Sequence, residues 1–370
     1  MSITPKVAFV VDALPGLGGS EKVLLAALEL FPDAPIFTLV YNHSAFADTT
    51  IAARKVITSF IDRLPLVRTH YRKYLPLMPG AIEQFDLSAY DIILSFSYAV
   101  AHGVCTRPGQ LHLSYTHTPM RYAWRGIDLN GTYNPANQFT DLLFRSFRAW
   151  DVEAVRRVDH LAAVSHWISE WIRRAYGRDS QVIYPPVDIE RFHPQPVRNK
   201  YYITVSRLVR HKRIDLIVEA FKQLNLPLMI IGEGPEYSRL VRQASPNIQF
   251  LGFQNDSVVA DLLNHARGFI CVCEEDFGIA AVEAQAAGCP VIAYQKGGAG
   301  ETVLDGKTGL LFTTQKVDDL RETVVRFESG AHRFDIHELQ RNAARFSKSC
   351  FQKEYERFVR NAWESGVGGV

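Results

Sequence analysis

The sequence predicts an α/β protein made of two Rossmann-like domains, each a parallel sheet covered by helices. Three observations carry this expectation. Short runs rich in Val, Ile and Leu alternate with longer segments of helical character along nearly the whole chain. The length of 370 residues exceeds what one ordinary core holds, so two domains are expected. The alternation also breaks near the middle, at the proline-rich, non-periodic stretch 182–194, which reads as the link between domains.

In the first half, residues 6–11 form an apolar, β-branched run, the opening strand. The turn that follows, Asp12-Ala-Leu-Pro-Gly-Leu-Gly-Gly-Ser-Glu21, sets Gly16, Gly18 and Gly19 before a helix running to Leu30, with Ser20 as its N-cap. These glycines do not follow Gly-x-Gly-x-x-Gly, so a dinucleotide cofactor loses support. Residues 34–40 read as the next strand. Residues 54–79 then interleave Arg54, Lys55, Arg63, Arg68, Arg72 and Lys73 with apolar side chains such as Phe60, Leu66, Val67 and Leu77. Pro65 and Pro76 break this segment. It is either a set of amphipathic pieces with a solvated basic face or a contact surface for an anionic membrane. Strands follow at 90–96 and 112–115, and the second runs into Thr116-His117-Thr118-Pro119-Met120-Arg121. A histidine at the C-terminal end of a parallel strand lies where α/β sheets place ligands, although a lone histidine also serves as ordinary packing. A helix at 140–158, a strand at 161–164 and a helix at 167–176 capped by Ser165 close this half.

The second half restarts the pattern with a strand at 201–205. Ser206-Arg207-Leu208-Val209-Arg210-His211-Lys212-Arg213 follows, then a helix at 214–224. Cations at a strand end are well placed to hold a diphosphate, or else form a solvated basic loop. Strands at 228–231 and 247–253 and a helix at 258–265 lead to a buried strand at 268–272. The stretch from Glu275 to Gly309 is the most informative in the chain. Its alanine-rich part, 277–287, is expected to be a helix that Gly288 ends and Pro290 keeps from continuing. A second buried strand spans 290–294, and Gly297, Gly298 and Gly300 open the next helix. Helix N-termini and glycine loops present backbone N–H groups to an anion such as a diphosphate, and carboxylates accept from vicinal hydroxyls of a ribose or sugar. A last strand at 310–312 and helices at 317–328 and 348–363 complete the chain.

Lys and Arg together number 41 against 39 Asp and Glu, a net charge of +2 that neither demands nor excludes an anionic partner. The basic residues are not gathered into one stripe with stacking aromatics, so a nucleic-acid partner is not expected. No apolar run is long enough to span a bilayer, and the N-terminus has no signal-peptide pattern. Five cysteines, Cys105, Cys271, Cys273, Cys289 and Cys350, read as reduced, buried thiols of a cytosolic protein. Cys271 and Cys273 share one side of a strand, but no second pair completes a zinc site.

The spacing Glu275 to Glu283 resembles the Glu-x7-Glu signature of retaining glycosyltransferases of the GT-B fold, in particular glycosyltransferase family 4. The neighbouring Phe-Gly, Ala-x-Gly-x-Pro-Val, Gly-Gly-x-x-Glu and Gly-x-Thr-Gly-Leu-Leu-Phe strings match as well. The turn at Gly18 and Gly19, the His-Thr-Pro-x-Arg string at His117 and the Ser-Arg-Leu-x-x-x-Lys-Arg string at 206–213 are similar to family motifs too. The resemblance implies two Rossmann-like domains facing each other across a cleft. Residues 1–185 would form the acceptor domain, joined by a returning C-terminal helix at 348–370, and 186–347 the donor domain. It implies that Gly18 and Gly19 lie against the diphosphate and donor sugar, with Glu21 nearby on the acceptor side. Arg207 and Lys212 would grip the diphosphate. Glu275 would bind donor-sugar hydroxyls with backbone help from Phe277, Gly278 and Ile279, and Glu283 would hold the ribose. His117 would be the acceptor-side catalytic residue, with Arg121 as an acceptor or phosphate contact.

The activity implied is retaining transfer of glucose or mannose from UDP-glucose or GDP-mannose to a glycan or lipid-linked acceptor in polysaccharide biosynthesis. No Asp-x-Asp triplet occurs, so no metal is expected. The implied location is the cytoplasm, with residues 54–79 touching the inner face of the membrane. Two alternatives stay open: another GT-B-type enzyme, such as a nucleotide-sugar epimerase or glycosyl phosphorylase, and a non-catalytic nucleotide-sugar-binding protein.

Overall fold

The computed structural model describes residues 5–124, 138–195 and 197–367. The chain divides into two compact units, each with its own parallel sheet. Among the described residues, one unit holds the chain as far as Pro186 and again from Phe351 onward, and the other holds Val187–Cys350.

The first sheet has seven strands among the described residues: β1 (Val7–Val11), β2 (Ile36–Thr38), β3 (Val56–Thr58), β4 (Ile92–Ser97), β5 (Leu111–Thr116), β6 (His160–Ala163) and β7 (Gln181–Val182). Their order is β3-β2-β1-β4-β5-β6-β7 and every pairing is parallel. β1, β2 and β4 are almost wholly buried, as strands covered on both faces must be. The second sheet has β8 (Tyr202–Val205), β9 (Leu228–Ile231), β10 (Ile248–Gly252), β11 (Gly268–Cys271), β12 (Val291–Tyr294) and β13 (Gly309–Phe312). It runs β10-β9-β8-β11-β12-β13, again all parallel. In both sheets the chain reverses direction of growth once, between β1 and β4 and between β8 and β11. Such switch points leave a crevice at the carboxyl ends of the strands.

Asp12 secures the first switch point. Its carboxylate, 2% exposed, accepts four backbone N–H bonds: from Tyr98 (2.6 Å), Ala99 (3.0 Å), Val100 (2.5 Å) and Ala101 (2.7 Å). The end of β1 is thereby tied to the turn after β4. Burial pushes the Asp12 pKa up, and the N–H donors of Tyr98, Val100 and Ala101 act against that shift. A second buried network lies behind it. His102 bonds Ser97 Oγ (2.8 Å) and Asp151 Oδ1 (2.8 Å), and Asp151 Oδ2 accepts from Trp124 (2.7 Å) and Tyr176 (2.9 Å).

Several expectations are corrected. Ser20 does not cap the first helix. That helix, Gly19–Leu28, starts after Gly18, and Ser20 donates to Glu21 Oε1 at 3.0 Å. Residues 54–79 are divided into pieces, as Pro65 and Pro76 suggest, but most of their apolar side chains turn inward. These residues hold β3, the 3₁₀ helices Phe60–Arg63 and Tyr71–Leu77, the helix Val67–His70 and the start of the helix Met78–Glu83, with Ile61, Val67, Tyr71 and Leu75 in the core. Arg54 is turned inward and donates to the carbonyls of Leu28, Phe31 and Ala34 at the C-terminus of the first helix, where orphan acceptors await a cation. What this segment leaves exposed is Phe60, Leu66 and Leu77, beside Arg63, Arg68 and Lys73. The stretch 182–194 contains the boundary between the units, Pro186 to Val187, and is packed on both sides of it. Val182 belongs to β7, Ile183 is fully buried, and Val187 donates to Phe346 O at 2.8 Å. The cysteines are all free, but Cys105 is exposed and Cys350 half-buried. The final helix spans Lys348–Val367, and its Phe351 and Tyr355 pack on Tyr115 with ring centroids 5.8 and 6.0 Å apart.

Asp12→Ala leaves four buried N–H groups without an acceptor. The expected cost is roughly 3–5 kcal/mol of stability, read from urea unfolding. A change near zero would show that the four bonds do not hold this turn.

Candidate functional site

In the second unit, the residues singled out by sequence meet at the switch point between β8 and β11. After β8, the backbone runs through Arg207 to the short 3₁₀ turn Arg210–Lys212. Arg213 then takes φ = +54°, a left-handed conformation costly for a residue with a Cβ, and turns the chain into the helix Ile214–Leu224. This aims Lys212 back at the loop after β11. Lys212 Nζ donates to Glu275 Oε2 at 2.5 Å, and Cys273 Sγ donates to Glu275 Oε1 at 3.0 Å. The pair is largely buried, with side-chain exposures of 16% and 21%. A hydrogen bond with Cys271, burial and the Glu275 charge hold the Cys273 thiol well above its usual pKa, so it serves here as a proton donor.

The loop from Glu275 is pressed against the glycine turn. Gly298 N donates to Glu275 O at 2.7 Å, and a Cβ on Gly298 would stand 2.3 Å from Phe277 Cα. Only glycine allows that approach. Gly278 takes φ = +92° and is the N-cap of the helix Ile279–Ala286, one residue pair shorter at its start than 277 predicts. Phe277 turns inward onto Phe346, 5.4 Å between centroids, so only its backbone remains for a ligand. Behind the helix, Asn342 donates to Gln285 Oε1 and to Thr302 O, both at 2.7 Å, and fixes it to the segment after the glycines.

Glu283 sits within that helix and is 8% exposed. Arg191 Nη2 donates to Glu283 Oε1 at 2.5 Å, while Arg191 Nη1 pairs with Asp256 at 2.7 Å. The guanidinium also lies 4.8 Å over the Phe192 ring. Arg191 escaped the sequence reading because it falls in the stretch taken as a linker. Arg207 is not drawn into the cluster; its side chain is exposed at the end of β8.

In the first unit, Glu21 and His117 line one small pocket at the ends of β1, β4 and β5, together with Asp12, Ser20 and Tyr98. Gly18 backs it, since a Cβ there would meet Glu21 Oε2 at 2.9 Å, and Gly19 begins the helix. His117 N donates to Ser97 O at 2.8 Å. Burial, then the Arg121 charge, lower the His117 pKa to about 3, so the imidazole is neutral near pH 7. Asp12 and Tyr98, which also line this pocket, were not singled out by sequence. The signal for Asp12 was its position, the first polar residue after a buried strand.

Two parallel, doubly wound units with loops converging at their switch points define the class of GT-B glycosyltransferases. Two family models match the chain, Glycosyltransferase Family 4 over residues 17–191 and Glycosyl transferases group 1 over 188–347. Together the two models cover residues 17–347 and bear out the resemblance to GT-B glycosyltransferases. A structure of Anabaena HepE in complex with UDP-glucose is similar with a TM-score of 0.73 and 18% identity, over 96% of this chain and 99% of that one. The lipopolysaccharide outer core galactosyltransferase WaaB gives 0.68 and 18%, over 97% and 99%. Among curated proteins, an uncharacterised glycosyltransferase of Methanocaldococcus jannaschii is 28% identical over 59% of each chain. A GDP-mannose-dependent phosphatidylinositol monomannoside mannosyltransferase of Mycolicibacterium smegmatis is 32% identical over 46% of this chain and 54% of that protein. The matches thus span somewhat over half the length of these relatives.

Arg191→Gln removes the cation facing Glu283 and leaves a buried carboxylate short of its partner. It is expected to cost about 3 kcal/mol, measured by denaturant unfolding, and Arg191→Gln with Glu283→Gln together less than the sum. An additive double variant would show that the two side chains do not interact.

Proposed function

We propose that this chain is a retaining hexosyltransferase that moves glucose or mannose from a nucleoside diphosphate sugar to a glycan or lipid-linked acceptor, without a metal cofactor. The observation that carries the reading is the Lys212–Glu275 pair, held beside the Gly297–Gly298 turn at a sheet switch point. A cation and a carboxylate beside a glycine turn are what a sugar diphosphate asks for: charge for the phosphates, an acceptor for the sugar hydroxyls. The donor is assigned to residues 186–347, and the acceptor to residues 1–185 with the returning helix at 348–370.

Transfer develops negative charge on the departing diphosphate. Lys212 and Arg207 neutralise it, with N–H groups near Gly18, Gly19 and Gly298. Lys212 already sits beside Glu275, so it is positioned before the donor arrives and loses little freedom on binding. Glu275 accepts from the sugar hydroxyls, aided by backbone groups of Phe277, Gly278 and Ile279. Glu283, oriented by Arg191, accepts from the ribose. On the acceptor side, the neutral imidazole of His117 accepts a hydrogen bond from the attacking hydroxyl, near Glu21 and Arg121. Retention follows if leaving oxygen and acceptor meet the same face of the anomeric carbon. Both donor bases fit this scheme, since one relative is named for GDP-mannose and one structural neighbour holds UDP-glucose.

No helix among the described residues is long and apolar enough to cross a membrane. We assign the chain to the cytoplasm, with the exposed Phe60, Leu66 and Leu77 and the exposed cations Arg63, Arg68 and Lys73 of the same segment resting on the inner face of the membrane near a lipid-linked acceptor.

Glu283→Ala is expected to weaken donor binding roughly tenfold or more, and Lys212→Ala to slow transfer about 100-fold, the scale of a lost electrostatic stabiliser. Thermal shifts with UDP, GDP and their sugars rank the donors, since a tight ligand raises apparent stability. Unchanged turnover in both variants would dismiss the assignment. Co-sedimentation with vesicles containing anionic lipid tests the membrane face: Leu66→Ser with Phe60→Ser should abolish it, and a protein that ignores anionic vesicles has no such face.

A further inference from the structure

Cys271, Cys273 and Glu275 offer three ligand atoms, two sulfurs and a carboxylate oxygen, that all lie within 4.8 Å of one another. The arrangement follows from the backbone. Residues two apart in extended chain face the same side, which pairs Cys271 at the end of β11 with Cys273; the chain then bends, Glu275 N donating to Cys273 O at 3.0 Å, and this brings the carboxylate to the two sulfurs. Both sulfurs are buried, and the Glu275 carboxylate is the more exposed member. The sequence already showed the two cysteines on one side but supplied no second pair. Folding provides a carboxylate instead. Neither cysteine has a part in the sugar chemistry described above.

We propose that these three side chains bind a thiophilic divalent cation, zinc or cadmium, and that this cation is antagonistic to Lys212. Two thiolates with one carboxylate suit borderline and soft cations, whereas magnesium and calcium require oxygen ligands. Zinc holds sulfur at about 2.3 Å and carboxylate oxygen at about 2.0–2.2 Å, so the three side chains close by about an ångström and water takes the fourth position. On binding, both Sγ–H protons leave to solvent, two metal–sulfur bonds form, and one carboxylate oxygen becomes a ligand. The cation then lies next to the group that Lys212 Nζ now contacts at 2.5 Å. Two positive charges at that separation repel, so Lys212 leaves the carboxylate. Metal binding stands on the three ligands alone. Its consequence, loss of donor turnover, rests on the function proposed above.

The test uses the full chain, reduced and freed of metal, titrated with Cd2+ alone and followed by the ultraviolet absorption of cadmium–thiolate bonds. Zn2+ binding is measured in parallel by calorimetry. One cation per chain is expected. Cys271→Ser with Cys273→Ser should weaken it by roughly 100-fold or more, because two of three ligands are lost. Circular dichroism and a thermal melt check that this variant is folded. Lys212→Ala needs no change at the ligands and should bind the metal about tenfold more tightly, as a competing cation is gone. Absence of the thiolate band in the native chain, or its persistence in the folded serine variant, overturns the site. A Lys212→Ala chain that binds no more tightly overturns the antagonism. For a chain that turns over a sugar nucleotide, Cd2+ should inhibit the native form and spare the serine variant. A chain that binds cadmium but turns over no sugar nucleotide defeats the proposed function and leaves the metal site standing.

Discussion

The ion pair between Lys212 and Glu275 is the constraint on which the second unit's site depends. The two residues follow different strands, β8 and β11, which are neighbours in the sheet but far apart in sequence. A mostly buried pair of this kind contributes little net stability, since desolvation offsets much of the attraction, yet removal of either partner alone is costly. Such a pair therefore serves geometry. It fixes the loop after β8 against the loop after β11, and the glycine turn closes on the same loop from the far side. The left-handed backbone at Arg213 belongs to the same arrangement: strain is accepted where the chain must turn a cation toward a carboxylate.

The first unit meets the equivalent requirement with other groups. There the switch point lies between β1 and β4, and Asp12 spans it with backbone donors in place of a lysine. Four N–H groups directed at one carboxylate create local positive character without a charged side chain, and they order the turn that carries Tyr98. In both units an acid at a strand end fastens the neighbouring loop. The difference is that Asp12 is fully enclosed, whereas the Glu275 carboxylate keeps partial access to solvent. The enclosed one is a structural fastening, and the accessible one can meet a ligand.

Arg191 connects fold to chemistry by a different route. It comes from the chain entering the second unit, pairs with Glu283 and Asp256, and stacks on Phe192. A carboxylate inside an alanine-rich helix, packed among apolar neighbours, would otherwise be driven toward its neutral form. The guanidinium beside it gives the Glu283 carboxylate a partner and one orientation. The same logic explains Arg54 and the first helix's terminal carbonyls. Arginines that look surplus in the sequence are committed to buried acceptors.

The sequence by itself determined the parallel α/β class, the position of most strands, and the stretch from Glu275 to Gly309 as the centre of the chemistry. Those features are local: apolar β-branched runs, glycines where no Cβ fits, an alanine-rich helix closed by Gly288. Only the tertiary structure decided the partners. That Lys212 grips Glu275, that Arg191 leaves a presumed linker for Glu283, that Asp12 gathers four amides and that Cys273 donates to Glu275 all depend on strand order. Composition is silent on strand order, because a parallel sheet joins segments through crossovers of many residues. The basic segment at 54–79 shows the limit most plainly. Alternating cations and apolar residues suggest one amphipathic face, and the fold sends Arg54 and most of the apolar groups inward because a helix end and a core lay within reach.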